Sequence, residues 1–300
     1  MHCIKATFDK IMRVLKEHWG NSLAIEENIL RPGPKPKFSD LEVVVLNLTA
    51  ECLSIDSENL LFNKLNANYK ESFPHLISRR QYNDRRKNLF KYIENVRQTL
   101  TNEFNAINEV YAVDSMPLEL CKLSRMSRNK MAADGQYFAP DKGYCASQSK
   151  YYFGYKLHAV CNPSGVIHVV DLTKASVHDI HFLKDISNIL QNCLITGDRG
   201  YINSKLKTEL FEKSAICLET PLRSNQRDKT KLIYQLRKIR KRIETVFSQL
   251  CDQFMIQRNY AKSFYGYRTR ILSKITGLTL LQYINKINGK PIGQVKYALK

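Results

Sequence analysis

The chain is poor in acid and lacks any paired-cysteine motif. Its 300 residues carry 28 Asp and Glu against 47 Lys and Arg, a formal charge of +19. That imbalance points to polyanionic partners, nucleic acid first and an acidic membrane surface second. No C-x-x-C occurs among the eight cysteines, and the closest histidine pair, His178 and His181, has no cysteine near it in sequence. A structural zinc site is therefore not expected, and the cysteines read as buried, reduced thiols. No apolar run is long enough to span a bilayer: the most apolar stretch, 41–53, is interrupted by Glu42, Asn47 and Glu51. No secretory signal, internal repeat or low-complexity segment is evident. With 43% hydrophobic residues the chain can fold around a sizeable core. A soluble, intracellular, basic protein is the expectation.

What is present changes character near residue 105. Before it the periodicity is helical. Ile4, Phe8, Ile11, Leu15 and Trp19 recur every three or four residues, which predicts one amphipathic helix. The stretch 31–37 (RPGPKPK) is a basic breaker. Ser39 and Glu42 form a capping box opening the next helix, and further helices are expected at 57–65 and from Ser78. After residue 109, strand signals alternate with helical ones. Strands are expected at 110–114, 151–161, 166–172, 194–196 and 215–218, and helices at 178–190, 204–213 and 231–254. The order is βββ-α-β-α-β-α. The expected division is 1–105, a helical domain, and 106–300, an α/β domain with basic C-terminal helices.

Three acids stand out in that order. Asp114 ends the first strand, Asp198 ends the fourth, and Glu244 lies beside Ile243 on the last long helix. Carboxylates at the C-terminal ends of strands face the crevice where open α/β sheets bind ligands. A cluster of them calls for a hard divalent cation. A lone Asp after a strand is ordinarily a turn or cap residue, and a Glu in a basic helix ordinarily pairs at i,i+4; the joint placement of all three makes the set a candidate site. His158, His178 and His181 are candidate extra ligands or phosphate contacts, though His178–Asp179 reads more simply as a helix cap.

Basic segments complete the pattern. Residues 223–242 hold nine Lys or Arg and one Asp, including Arg237, Arg240 and Lys241. Arg79, Arg80, Arg85 and Arg86 lie on a helix with Tyr82 and Asn83 among them, a composition suited to a major groove. Lys156 and Arg199, near the expected site, are candidate phosphate contacts. After Asp252 there are nine positive charges and no acid, read as a helical tail that tracks DNA and also packs on the core.

The topology and the strings YKLH (155–158), KASVHD (174–179), DRGY (198–201) and RKRIE (240–244) resemble the DDE transposases of bacterial insertion sequences, in the insertion-sequence 4/5 supergroup. Length and the helical N-terminal region resemble its insertion-sequence 982 branch. The resemblance implies a ribonuclease H-like core, a mixed five-stranded sheet with helices, behind an N-terminal all-helical DNA-binding domain. It implies Asp114, Asp198 and Glu244 as catalytic, metal-binding acids, using two Mg²⁺ ions (Mn²⁺ may substitute) roughly 3.5–4 Å apart to cleave and join DNA ends. Arg240 matches the signature arginine four residues before the glutamate. Where the supergroup has a tyrosine before that arginine and a lysine after the glutamate, this chain has Arg237 and Cys251. Implied partners are double-stranded DNA, as terminal inverted repeats and target, and a second copy of the chain; no membrane is implied, and the expected location is the cytoplasm, with the nucleoid. A structure-specific nuclease or resolvase on the same fold, or a decayed copy that only binds DNA, are the alternative readings.

Overall fold

The computed structural model describes residues 3–19, 27–104, 110–133, 138–221 and 234–300. The chain divides into two compact units: residues 1–100 with 252–261 and 265–300, and residues 101–251 with 262–264. The sequence places 106–300 in one domain; the structure instead groups the C-terminal helix with the N-terminal helices.

The helical unit is built from α1 (Ile4–Trp19), α2 (Asp40–Cys52), α3 (Glu58–Asn68), α4 (Arg79–Asn88), most of α5 (Phe90–Asn102) and α9 (Phe264–Ile287). α2 opens on the expected capping box, with Ser39 Oγ accepting from the Glu42 amide and Glu42 accepting from the Ser39 amide. It is buried along its length from Asp40 to Glu51. Its apolar residues Leu41, Val43, Val44, Val45, Leu46 and Leu48 leave only Glu42 part-exposed along that run, so the helix sits in the core. α9 supplies part of that core, and its polar residues are matched to α2. Ser273 Oγ accepts from Asn47 Nδ2 at 2.7 Å, and Lys274 Nζ donates to Glu51 Oε2 at 2.6 Å and to the Phe254 carbonyl at 2.7 Å. These matched polar pairs explain why the C-terminal helix belongs with α2. They also correct the reading of the C-terminal charge: Arg270 and Lys274 are buried beside Glu51 and do not face solvent.

The second unit holds a mixed sheet of six strands: β1 (Val110–Cys121), β2 (Asp141–Cys145), β3 (Lys150–Cys161), β4 (Ile167–Lys174), β5 (Leu194–Thr196) and β6 (Cys217–Glu219). Central β1 pairs antiparallel with β3 and parallel with β5, and β5 pairs parallel with β6. The outer edge of β3 is shared: β2 takes Lys150–Gly154 and β4 takes Tyr155–Cys161. Six strands thus occupy five positions. β2 is the strand the sequence does not announce, since DKGYC lacks an alternating apolar pattern. Its Gly143 is required by close packing, because a Cβ there would lie 2.4 Å from the Ala175 carbonyl oxygen. β1 also runs seven residues past Asp114, so that acid sits within a strand and not at its end.

Helices α6 (Asp179–Ile186) and α7 (Ser204–Ser214) cover one face, where Val113, Val160, Phe182, Leu183, Ile195 and Leu210 belong to one buried cluster. The last helix of the unit, α8 (Tyr234–Asp252), buries Ile243, Val246, Phe247 and Leu250. Arg242 of α8 donates to the Ser164 carbonyl in the β3–β4 turn at 2.9 Å. All eight cysteines are thiols; burial pushes Cys161 up to about 12.

Candidate active site

The site forms where the β1–β5 ladder ends. Ala112 is opposite Thr196, the last residue of β5. Asp114 and Asp198 each lie two residues further on, so parallel register brings them side by side. Asp198 then caps the turn at Arg199–Tyr201, its Oδ1 accepting from the Gly200 amide at 2.7 Å. Asp114 Oδ1 accepts from the Ser115 amide at 2.8 Å. Two apolar runs that stop at the same height therefore present two carboxylates together.

A third acid, not singled out for the site from sequence, joins them. Asp179 Oδ1 accepts from Ser115 Oγ at 3.0 Å and lies 3.0 Å from Lys156 Nζ. A Cβ at Gly200 would lie 2.9 Å from Asp198 Oδ1 and 3.6 Å from Asp179 Oδ2. The two carboxylates thus flank the same glycine. The string KASVHD carries both a helix cap and this acid, and its sequence alone shows only the cap. His178 does cap α6, its ring accepting from the Ile180 amide, while the aspartate beside it turns to the sheet. His158 is buried, stacks on Phe182 and shares a hydrogen bond with Thr173 Oγ1 at 2.8 Å. Burial drives its pKa down to about 4, so the ring is neutral at physiological pH.

Electrostatics set the character of the pocket. Burial, with Asp198, Glu244 and Asp179 nearby, raises the Asp114 pKa to about 7, although the Ser115 amide opposes the shift. The Tyr201 phenol is fully buried, and its pKa is held well above the usual value by burial and by Asp179, Asp114 and Asp198. Glu244 is close enough to act on Asp114 but is exposed, with Oε1 4.0 Å from Arg240 Nη2. Among the described residues no group of three or more His, Cys, Asp or Glu is drawn together tightly enough to hold a metal ion. The donor chemistry nevertheless suits a hard cation: the acids offer oxygen only, and burial together with the neighbouring carboxylates raises the Asp114 carboxyl.

The expected DNA contacts separate into two groups. Arg79, Arg80, Arg199, Arg237 and Lys241 are exposed. Lys156 is not available in this arrangement, since Asp179 and the Val177 carbonyl hold it. Arg85 donates to Asp40 and the Phe38 carbonyl, and Arg86 pairs with Glu58 in the helical core. Tyr82 is buried, and Asn83 donates to Glu58. α4 therefore keeps only its first turn, with Arg79 and Arg80, as an open basic surface, because its other arginines answer buried acids. Residues 223–231, the first part of the basic run, lie outside the described residues.

The transposase DDE domain model matches residues 106–280, more than half of the chain, and the chain belongs to that family. No curated protein and no solved structure gives a significant match. The family defines a transposase, a polynucleotidyl transferase whose implied partner is DNA. Among the described residues, no helix is long and apolar enough to cross a membrane.

Proposed function

We propose that the chain cleaves the terminal inverted repeats of an insertion sequence and joins their 3′-ends to target DNA, with Asp114, Asp198 and Glu244 as the catalytic acids. The observation that carries this reading is the parallel β1–β5 register, which sets Asp114 beside Asp198, with Asp198 and Asp179 flanking Gly200; burial and these neighbouring carboxylates push the Asp114 carboxyl up, in keeping with a functional site.

Asp114, Asp198 and Glu244 would hold divalent cations, Mg²⁺ with Mn²⁺ as substitute and two in number. Bound there, such ions supply Lewis-acid stabilisation of the phosphoryl group and a lowered pKa for the attacking water or 3′-hydroxyl. The protein's own contribution is placement. Parallel register fixes Asp114 beside Asp198, and the Ser115 and Gly200 amides orient one oxygen of each. Glu244, exposed on α8, reaches the pair by leaving Arg240. Asp179 holds Lys156 and Ser115 and thereby positions the β1 segment carrying Asp114. Arg199, Arg237, Arg240 and Lys241 guide the phosphate backbone, and Arg79 and Arg80 make the N-terminal helices' contact with DNA. Joining two ends calls for two copies of the chain, hence a homodimer on DNA. The insertion-sequence 982 branch of the supergroup, with a cytoplasmic, nucleoid-associated location, completes the reading.

The test is cleavage and strand transfer on duplexes bearing the flanking repeats, with Mg²⁺ or Mn²⁺. Nicking without joining would favour a structure-specific nuclease, and binding with neither would favour a decayed copy.

A further inference from the structure

The hairpin of β2 and β3 exposes two aromatic rings facing each other. Tyr144 and Tyr151 are opposite in register, 52% and 57% exposed, with centroids 4.9 Å apart and planes at 55°. Lys142 Nζ sits 4.3 Å from the centre of the Tyr151 ring. Large rings scattered singly on a surface need no explanation, but a cross-strand pair with a cation against it forms a platform.

The platform shares its end of the sheet with a basic turn. Residues 122–130 contain Lys122, Arg125, Arg128 and Lys130 and no acid, and all four are exposed. Among the described residues, the nearby acids Glu119 and Asp141 are engaged: Glu119 with Lys150 at 3.0 Å, and Asp141 with the Ser176 amide at 2.9 Å and the Ser176 hydroxyl. None of the catalytic chemistry above uses these residues.

Strand parity places the rings relative to the acids. Ala159 is the register partner of Asp114, and Tyr151 lies eight residues from Ala159 on β3. Residues an even number apart share a face, so Tyr151 lies on the Asp114 face of the sheet. At about 3.3 Å per residue the separation along β3 is about 26 Å.

We infer that Tyr144, Tyr151 and Lys142, with the basic turn at 122–130, bind single-stranded DNA continuous with the strand held at the acids. The charge selects a polyanion. The rings select unpaired bases, because a duplex hides its base faces within the stack while a single strand offers them to aromatic side chains. Lys142 lies over the Tyr151 ring and adds positive charge to the platform. The inference rests on the family's action on DNA and is independent of which acids are catalytic.

The test uses the full chain and fluorescence anisotropy with labelled oligothymidylate of 20 nucleotides and a 20-base-pair duplex as probes. The Tyr144→Ala/Tyr151→Ala variant is expected to bind the single strand at least about tenfold more weakly while duplex affinity changes less than about twofold. The Tyr144→Phe/Tyr151→Phe variant is expected to retain single-strand binding, since stacking uses the ring and not the hydroxyl. Arg125→Ala/Arg128→Ala is expected to flatten the single-strand salt dependence by about 1.4, at about 0.7 per phosphate. Unchanged single-strand affinity in the alanine pair, equal loss on both probes, or failure of the phenylalanine pair would each overturn the inference. The readout is binding without divalent metal and without cleavage, so a wrong catalytic assignment leaves this result untouched.

Discussion

Lys156 Nζ lies 3.0 Å from Asp179 Oδ1 and donates to the Val177 carbonyl at 2.8 Å, so its charge is spent within the protein. Lys156→Met is expected to leave DNA affinity within about twofold while lowering the urea midpoint by the equivalent of about 1–3 kcal/mol, the usual worth of hydrogen bonds to a charged group. Asp179→Asn, which keeps an acceptor for Ser115 but releases Lys156, should lower the cleavage rate about tenfold or more with DNA affinity unchanged. A drop in affinity matching the drop in rate would place Asp179 in DNA binding instead.

Asp114 makes stability depend on pH with a definite sign. Its pKa rises from 3.8 to about 7 on folding. Below about pH 4 it is protonated in both states and destabilises nothing. Between about 4 and 7 the unfolded chain ionises first, so stability falls as pH rises, by up to about 4 kcal/mol, and levels off above 7. Thermal denaturation of the metal-free protein should show this decline, and Asp114→Asn should remove it. Adding Mg²⁺ at pH 8 should raise the native Tm and leave that of the asparagine variant unmoved.

Basic residues of similar appearance should behave oppositely. Arg86 is buried against Glu58, and Lys274 against Glu51. Arg86→Ala leaves part-buried Glu58 with Asn83 as its partner among the described residues, and Lys274→Ala leaves buried Glu51 with Arg270 at 3.9 Å; each is expected to destabilise by about 2–4 kcal/mol. Arg79→Ala and Arg80→Ala should leave the denaturation midpoint in place and weaken DNA binding. Equal stability losses in both pairs would contradict the assignment of α4's two ends.

The α8 cations admit a separate test. Arg237 and Lys241 are exposed on the helix that carries Glu244. Replacing both with alanine should reduce the slope of log affinity against log salt by about 1.8, at about 0.9 per phosphate. No change of slope would show that this face does not meet duplex DNA.

Much of this arrangement is legible in the sequence because local chemistry and global fold agree there. The capping boxes at Ser39 and Ser78, the β5 run ending before Gly197–Asp198, and the period of α8 each write their own element. β2 is not legible, since its stability comes from pairing with β3 and from Gly143 packing on Ala175, neither of which leaves a periodic trace. Arg85, Arg86 and Lys274 mislead for a related reason. Charge is counted along the chain, but the acids that answer it lie 45, 28 and 223 residues away. Asp179 was hidden by its neighbour, because a cap and a site residue occupy successive positions in KASVHD.

The most direct test of the account compares the native chain with Asp114→Asn, Asp198→Asn and Glu244→Gln in cleavage and strand transfer on repeat-bearing duplexes with Mg²⁺. The account predicts nicking and joining by the native chain, and duplex binding without either step by all three variants. Native rates of cleavage in any of the three would contradict the assignment of that acid.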